Sequence, residues 1–258
     1  MKPFLILQLR PEAPASDDEY RAILAKSGLR PEETRRIRLE RESLPDGLDL
    51  ADHAGVIVGG GPGCVSDPPE AKTPLEARIE AEMLDLMPQI TAGDVPFMGC
   101  CYGIGLLAAH LGAEVSKARW GEPVGAAVAE KTDAGAADPL LADLPERFTV
   151  LVGHKEAVQT LPAGAVHLLR SASCPYQMIR HGRNVYATQF HPEGDADVFA
   201  LRVEVYRDHG YFPPREADAL LARVRALRAD HAPRLLRAFV DRCRAAAPDT
   251  ARPELTAP

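Results

Sequence analysis

The stretch that most limits what this chain can become is residues 95–109, VPFMGCCYGIGLLAA. An apolar segment runs without a break into Gly99-Cys100-Cys101-Tyr102-Gly103, and an apolar helical pattern follows. That order predicts a short buried strand, a tight turn and a helix. The turn has glycine two residues before and two residues after Cys101, the nucleophile-elbow pattern with cysteine in the serine position. The two glycines let the backbone fold sharply, which lifts the Cys101 side chain over the sheet edge. A thiol there sits at a helix N-terminus, where the dipole favours thiolate. The Tyr102 amide points the same way and can donate to a developing oxyanion. A plain strand–helix unit with small, inert, buried cysteines fits the same letters, so the choice between the two falls to the rest of the chain.

The flanking segments predict a doubly wound sheet. Residues 4–9 are nearly all apolar and suit a central parallel strand buried on both faces. A helix is expected from 16 to about 28, strands over 36–40 and 54–58, and a long helix over 73–92. In that last helix Leu75, Ile79, Met83, Leu86, Met87 and Ile90 fall near helical spacing. The helix after the elbow should end near Leu111. Strands alternating with helices in this way make a parallel α/β sheet. Between 113 and 189 short strand candidates dominate (125–130, 148–152, 166–170, 175–180 and 185–189), expected as antiparallel additions to the parallel core. Three helices should follow, over 195–209, 216–230 and 233–244, packing on the core or forming a dimer contact. The expected division is a domain over 1–195, a helical extension over 196–247 and a flexible tail over 248–258.

Composition excludes more than it selects. The 258 residues are 46% hydrophobic and 26% charged with a formal charge of −7, which argues against a nucleic-acid or anionic-membrane surface. The apolar run at 4–9 is too short for a signal-peptide core or a membrane span, and a cytoplasmic protein is expected. The five cysteines, at 64, 100, 101, 174 and 243, are odd in number and contain no CxxC pair. Neither a disulfide framework nor a zinc site is expected.

Two further segments bear on chemistry. Val58 leads into Gly59-Gly60-Gly61-Pro62-Gly63, which reads either as a flexible turn at a strand end or as bare amides that donate to an oxyanion. It lacks the spacing of a dinucleotide site and the lysine of a P-loop. The second segment, Gln189-Phe190-His191-Pro192-Glu193, ends an apolar strand. Period-two geometry places His191 and Glu193 on one side of an extended backbone, and Pro192 biases His191 toward that conformation. Alone, this is a structural histidine beside a surface glutamate. Joined to the cysteine elbow, it completes a nucleophile, a base and an orienting carboxylate.

Taken together, Gly99-x-Cys101-Tyr102-Gly103, the glycine run and the Gln189–Glu193 segment resemble the class I glutamine amidotransferases. Trp120-Gly121-Glu122 and Gly153-His154-Lys155-Glu156-Ala157-Val158 also resemble segments of that family, including the amidotransferase subunits of GMP synthases. The resemblance covers about residues 1–195. It implies a flavodoxin-like α/β core and hydrolysis of a γ-glutamyl amide, usually glutamine, with no metal and no organic cofactor. It implies Cys101 as nucleophile, His191 as base and then acid, Glu193 as the residue that orients the imidazole, and the amides of Gly60 or Gly61 and of Tyr102 around the oxyanion. Its partners would be a small γ-glutamyl substrate and a separate synthetase subunit that accepts ammonia.

Departures from the family pattern fall on substrate contacts. The elbow helix of the family commonly reads Cys-x-Gly-x-Gln, with the glutamine holding substrate; here that position is Gly105. The usual His-x-Asp-x-Val segment carries Glu156 in place of aspartate, after a His154 that either contacts substrate or holds structure. Glutamine itself is therefore not expected to be the best substrate. Three functions stay open on the sequence: a stand-alone glutaminase component, a γ-glutamyl peptidase or hydrolase acting on other amides, and a non-catalytic module on the same fold.

Overall fold

Every residue of the first strand is buried, as a strand covered by helices on both faces requires. The computed structural model describes residues 2–208 and 212–246; the tail expected over 248–258 and the helix end expected at His209 lie outside them. The first half of the chain runs β1 (Phe4–Gln8), α1 (Ala13–Ser27), β2 (Thr34–Arg38), β3 (Gly55–Val58), α2 (Pro74–Ala92), β4 (Phe97–Cys100) and α3 (Tyr102–His110). Next come β5 (Val115–Ser116), β6 (Glu122–Lys131), α4 (Asp133–Ala136), β7 (Arg147–His154), β8 (Ala157–Val158), β9 (Ala165–Arg170), β10 (Met178–His181) and β11 (Val185–Thr188). The described residues end with α5 (Ala196–Val205), α6 (Ala217–Arg225) and α7 (Arg234–Ala246).

Nine strands form one sheet in the order β2-β1-β3-β4-β11-β10-β9-β6-β7. The five from β2 to β11 pair in parallel, and the remaining neighbours pair antiparallel. This is the doubly wound, mainly parallel flavodoxin-like sheet with antiparallel additions that the sequence predicts. The two-residue strands β5 and β8 pair separately; segments that short carry no readable period.

Strand alternation sorts the core into two faces. Phe4, Ile6, Ile57 and Met98 pack with Ile23 of α1 and with Leu235 and Phe239 of α7. Leu5, Leu7, Val56 and Phe97 face the other way, onto Met83 of α2 and Leu107 of α3. The last helix therefore helps cover the parallel sheet, burying Leu235, Leu236, Phe239, Val240 and Cys243. Residues of α5 and α6 form a third apolar group around Leu151 of β7. Helix α2 starts on a capping box, with Thr73 Oγ1 accepting from the Glu76 amide and the Glu76 carboxylate accepting from the Thr73 amide. Helix α1 begins at Ala13 rather than 16, with a proline in its first turn. Among the described residues no helix is long and apolar enough to cross a membrane.

Candidate functional site

The elbow is as tight as its glycines predict. Cys101 joins β4 to α3 with φ 57° and ψ −89°, a conformation costing a non-glycine residue about 1–3 kcal/mol and concentrated at functional sites. A β-carbon on Gly99 would lie 2.8 Å from Phe97 Cε1 and 3.0 Å from Gly103 Cα, so the turn closes only because position 99 carries no side chain. The Cys101 amide donates to Thr188 O at 2.7 Å. The parallel register pairs Cys100 with Thr188, and the segment after β11 is thereby delivered beside the elbow.

That segment holds His191 and Glu193 as a bonded pair, His191 Nδ1 donating to Glu193 Oε1 at 2.7 Å. A carboxylate only accepts, so the proton is assigned to Nδ1 and Nε2 is left as the basic nitrogen. Cys101 and His191 border the same pocket. Among the described residues no hydrogen bond joins Cys101 Sγ to the ring; such contacts commonly tighten only with substrate in place.

Behind the pair lies a buried charge cluster that the sequence reading missed. Arg202 of α5 donates through Nη2 to Glu193 Oε1 at 2.8 Å and to Glu19 Oε2 at 3.5 Å. Arg10 Nε donates to the same Glu19 oxygen at 2.6 Å, and Arg10 Nη1 to the Tyr206 hydroxyl at 3.3 Å. Glu19 and Glu193 are wholly buried. The readable signal is faint: Gln8 and Arg10 interrupt an apolar strand end, and Arg202 lies nine residues after Glu193 on a helix expected to pack on the core or form a dimer contact.

Electrostatics follows from this burial. Burial pushes the Glu193 carboxyl up, but His191 and Arg202 outweigh it and hold it well below the usual carboxylate range. Burial pulls the His191 imidazole below its ordinary value; Glu193 opposes this, and Arg202 and Arg10 add to it. Burial pushes the Cys101 thiol up to about 12, with Arg10 as the main opposing charge. A helix terminus favours the thiolate, whereas burial in the folded site acts on Cys101 in the opposite direction.

The other expected site residues divide. Of the two amides expected around an oxyanion, that of Gly60 donates to Glu19 Oε2 at 3.2 Å. The Gly61 and Tyr102 amides carry no hydrogen bond to another described residue, and both residues border the cleft beside Cys101. Glu156 accepts from the Val65 and Ser66 amides at 2.9 and 2.8 Å and from Ser66 Oγ at 2.6 Å. It stands against Gly105, where a β-carbon would lie 3.2 Å from Glu156 Oε1. Both nitrogens of His154 are engaged within the protein, Nδ1 at Glu156 O and Nε2 at Glu122 Oε2, each at 2.8 Å. Glu122, His154 and Cys174 place one ligand atom each within 4.8 Å of one another; Glu122 also accepts from Ser173 and from Gln177 Nε2, the latter at 2.7 Å, and the group reads as a hydrogen-bonded cluster. Cys100 is fully buried. Cys64 borders the cleft, with burial pushing its thiol up to about 11.

Two pockets meet at Cys101 and share Gly61 and Gly153. One is bordered by Tyr102, Gly105, His154 and Glu156. The other is bordered by Arg10, His191, Phe199 and Arg202.

Fold and site together define a flavodoxin-like α/β protein with a cysteine elbow and a buried His–Glu pair bordering one pocket. The family model for glutamine amidotransferase class-I matches residues 29–203, and the chain belongs to the class I glutamine amidotransferase family. It is 33% identical over 146 residues to a GMP synthase [glutamine-hydrolyzing] from Streptococcus pneumoniae (strain CGSP14), an alignment covering 56% of this chain and 25% of that protein. The chain thus spans about a quarter of that curated relative. The crystal structure of a glutamine amidotransferase from Thermotoga maritima superposes with a TM-score of 0.73 at 22% identity, covering 94% of this chain and 98% of that one. A glutamine amido transferase from Methylobacillus flagellatus gives 0.67 at 22% identity, covering 93% and 95%.

Proposed function

We propose that the protein hydrolyses a γ-glutamyl amide through a thioester on Cys101. The observation that carries this reading is the 2.7 Å His191–Glu193 bond set at the pocket that Cys101 borders. His191 Nε2 takes the thiol proton as sulfur attacks the amide carbonyl carbon. The Gly61 and Tyr102 amides hold the resulting oxyanion. The C–N bond then breaks, the imidazolium returns its proton to the leaving nitrogen, and the amine departs. His191 next takes a proton from water, whose oxygen attacks the thioester and releases glutamate and the thiol. Glu193 keeps the ring oriented and stabilises its charged form.

Two versions share this chemistry. In one, ammonia from glutamine passes to a separate synthetase subunit. In the other, the chain is a self-sufficient hydrolase of other γ-glutamyl amides. The Glu156 carboxylate standing against Gly105, at the family's usual glutamine-contact position, favours the second. Incubating the purified chain with glutamine and a panel of γ-glutamyl amides, with Cys101→Ala as control, tests the proposal. Glutamate release that survives Cys101→Ala defeats it. Failure of a glutamine-derived chloroketone to label Cys101 supports a non-catalytic module instead.

A further inference from the structure

We propose that the pocket on the His191 side of Cys101 is a leaving-group subsite for an amine with an apolar, non-cationic body, so that the physiological substrate is the γ-glutamyl amide of such an amine rather than glutamine. The inference rests on the reading of Cys101, His191 and Glu193 given above.

The direction of the chemistry assigns the two pockets. His191 borders the second and not the first, whereas Tyr102, Gly105 and Glu156 border the first and not the second. A leaving nitrogen must sit where the imidazolium can protonate it, and the carbonyl oxygen must face the Gly61 and Tyr102 amides. The acyl half therefore occupies the first pocket, and whatever hangs from the nitrogen extends into the second.

Ammonia has nothing to place there, yet a second pocket, comparable in extent to the first, opens on that side of Cys101. Val124, Phe199, Val203 and Phe212 give it apolar walls. Phe199 meets the His191 ring edge to face at 5.4 Å between centroids, so the apolar surface begins at the imidazole itself. Such walls stabilise a hydrocarbon or aromatic body and do nothing for ammonia.

Charge narrows the class further. Arg10 and Arg202 border the pocket, and among the described residues no aspartate or glutamate does. Arg202 Cζ lies 5.3 Å from the Phe199 ring centroid, which places a positive charge along the aromatic wall. The carboxylates that answer these guanidiniums, Glu19 and Glu193, lie behind them and are already bonded to them. A leaving amine with a second, cationic nitrogen would meet guanidiniums and no carboxylate on the pocket wall, and would be desolvated without a partner. Tyr206 and Phe212, two members of the wall, lie beyond residue 203, where the family match ends; that part of the subsite is supplied by this chain's own C-terminal region.

The test compares kcat/KM for γ-glutamyl benzylamide, γ-glutamyl methylamide, γ-glutamyl putrescine and glutamine on the full chain. The benzylamide is expected to exceed each of the others by at least about 10-fold, the scale on which pockets discriminate hydrocarbon groups. Val124→Trp, at a half-buried wall position, should cut the ratio of benzylamide to methylamide hydrolysis by at least about 10-fold. Preference for glutamine or the putrescine amide overturns the proposal, as does a Val124→Trp ratio within about 3-fold of the parent. The wild-type comparison decides the matter if that variant does not fold. Labelling of Cys101 by a glutamine-derived chloroketone without benzylamide turnover refutes the subsite alone. Absence of both labelling and turnover refutes the underlying assignment of the site.

Discussion

Replacing Gly60 with alanine probes the proposed geometry through a single methyl group. A β-carbon there would lie 2.7 Å from His191 Cε1 and 2.7 Å from Arg10 Nη2. Ordinary contact begins at 3.4 Å, so the ring must retreat by 3.4 − 2.7 = 0.7 Å. It has little slack. Its Nδ1 is bonded to Glu193 at 2.7 Å, its backbone amide to Leu151 O at 3.0 Å, and Phe199 closes one side. Arg10 cannot yield freely either, because its Nε is held by Glu19 at 2.6 Å. A misplacement approaching 1 Å costs roughly 10²-fold in rate, or about 2.7 kcal/mol of transition-state stabilisation at about 1.36 kcal/mol per decade. The assay is steady-state hydrolysis of a γ-glutamyl amide, run beside alkylation of Cys101 by a small neutral haloacetamide, which needs the thiol but not the histidine's exact position. Gly125→Ala, whose β-carbon has only Pro123 O within contact at 3.8 Å, is the control. The expected result is a roughly 100-fold loss of kcat/KM with alkylation changed only a few-fold. A folded Gly60→Ala protein retaining kcat/KM within about 3-fold of the parent would refute the assignment of His191, in this position, as the base.

The remaining predictions concern the surroundings of the site. Arg202→Met leaves Glu193 and Glu19 short of a buried partner and should destabilise the fold by about 3–5 kcal/mol, measured by denaturant unfolding. The reaction needs neutral imidazole, and His191 is held below its ordinary value; kcat/KM should therefore rise with pH through a midpoint below about 6.5 and then stay level. The same profile should show no alkaline limb from Cys101 up to about pH 9, because burial has pushed that thiol up to about 12. Removing the Arg202 charge takes away a cause of the low imidazole value, so Arg202→Met should move the acid limb upward. Gly105→Gln crowds Glu156 where it accepts from the Val65 and Ser66 amides and should destabilise the fold by about 1.5–3 kcal/mol, the worth of a hydrogen bond to a charged group, measured by denaturant unfolding; Glu156→Asp in the same chain should recover part of that loss. Phe239→Ala, at a fully buried position of α7, should cost about 3–5 kcal/mol by calorimetry or denaturant unfolding.

The elements that were legible are those with their own local period or punctuation. Leu75 through Ile90 repeat at helical spacing, and Thr73 with Glu76 marks the start of α2. The apolar runs of β1, β3 and β4 show no alternation because both faces are buried, itself the mark of a parallel strand. Gly99 and Gly103 announce the elbow because only a turn that tight requires them. The charge cluster was not legible, since Arg10, Glu19 and Arg202 meet only after α1 and α5 have docked from positions up to 192 residues apart (202 − 10). Single charged residues on helices usually face water, and nothing local marks these two helices as exceptions. The raised thiol was not legible for a related reason: a helix terminus is visible in the sequence, whereas the burial that pushes the thiol up is a property of the folded chain. The engagement of the Gly60 amide by Glu19 depends on the same docking.

The buried cluster bears on how the proposed reaction can start. Arg10 and Arg202 carry two positive charges and Glu19 and Glu193 two negative ones, so with a neutral thiol and a neutral imidazole the site holds no net charge. Moving the proton from Cys101 to His191 creates a thiolate and an imidazolium. Arg10 favours the first and Glu193 the second, while Glu193 disfavours the thiolate and Arg202 the imidazolium. Burial is the largest influence on both groups, pushing the Cys101 thiol up and the His191 imidazole down, and so favours the neutral form of each. Charge separation becomes favourable only when a carbonyl carbon arrives to take the electrons and the Gly61 and Tyr102 amides receive the oxygen. On this reading the resting enzyme should react slowly with general thiol reagents and faster with electrophiles that fill the first pocket. A Cys101 alkylated as readily by haloacetamide as a thiolate of ordinary exposed character would count against it.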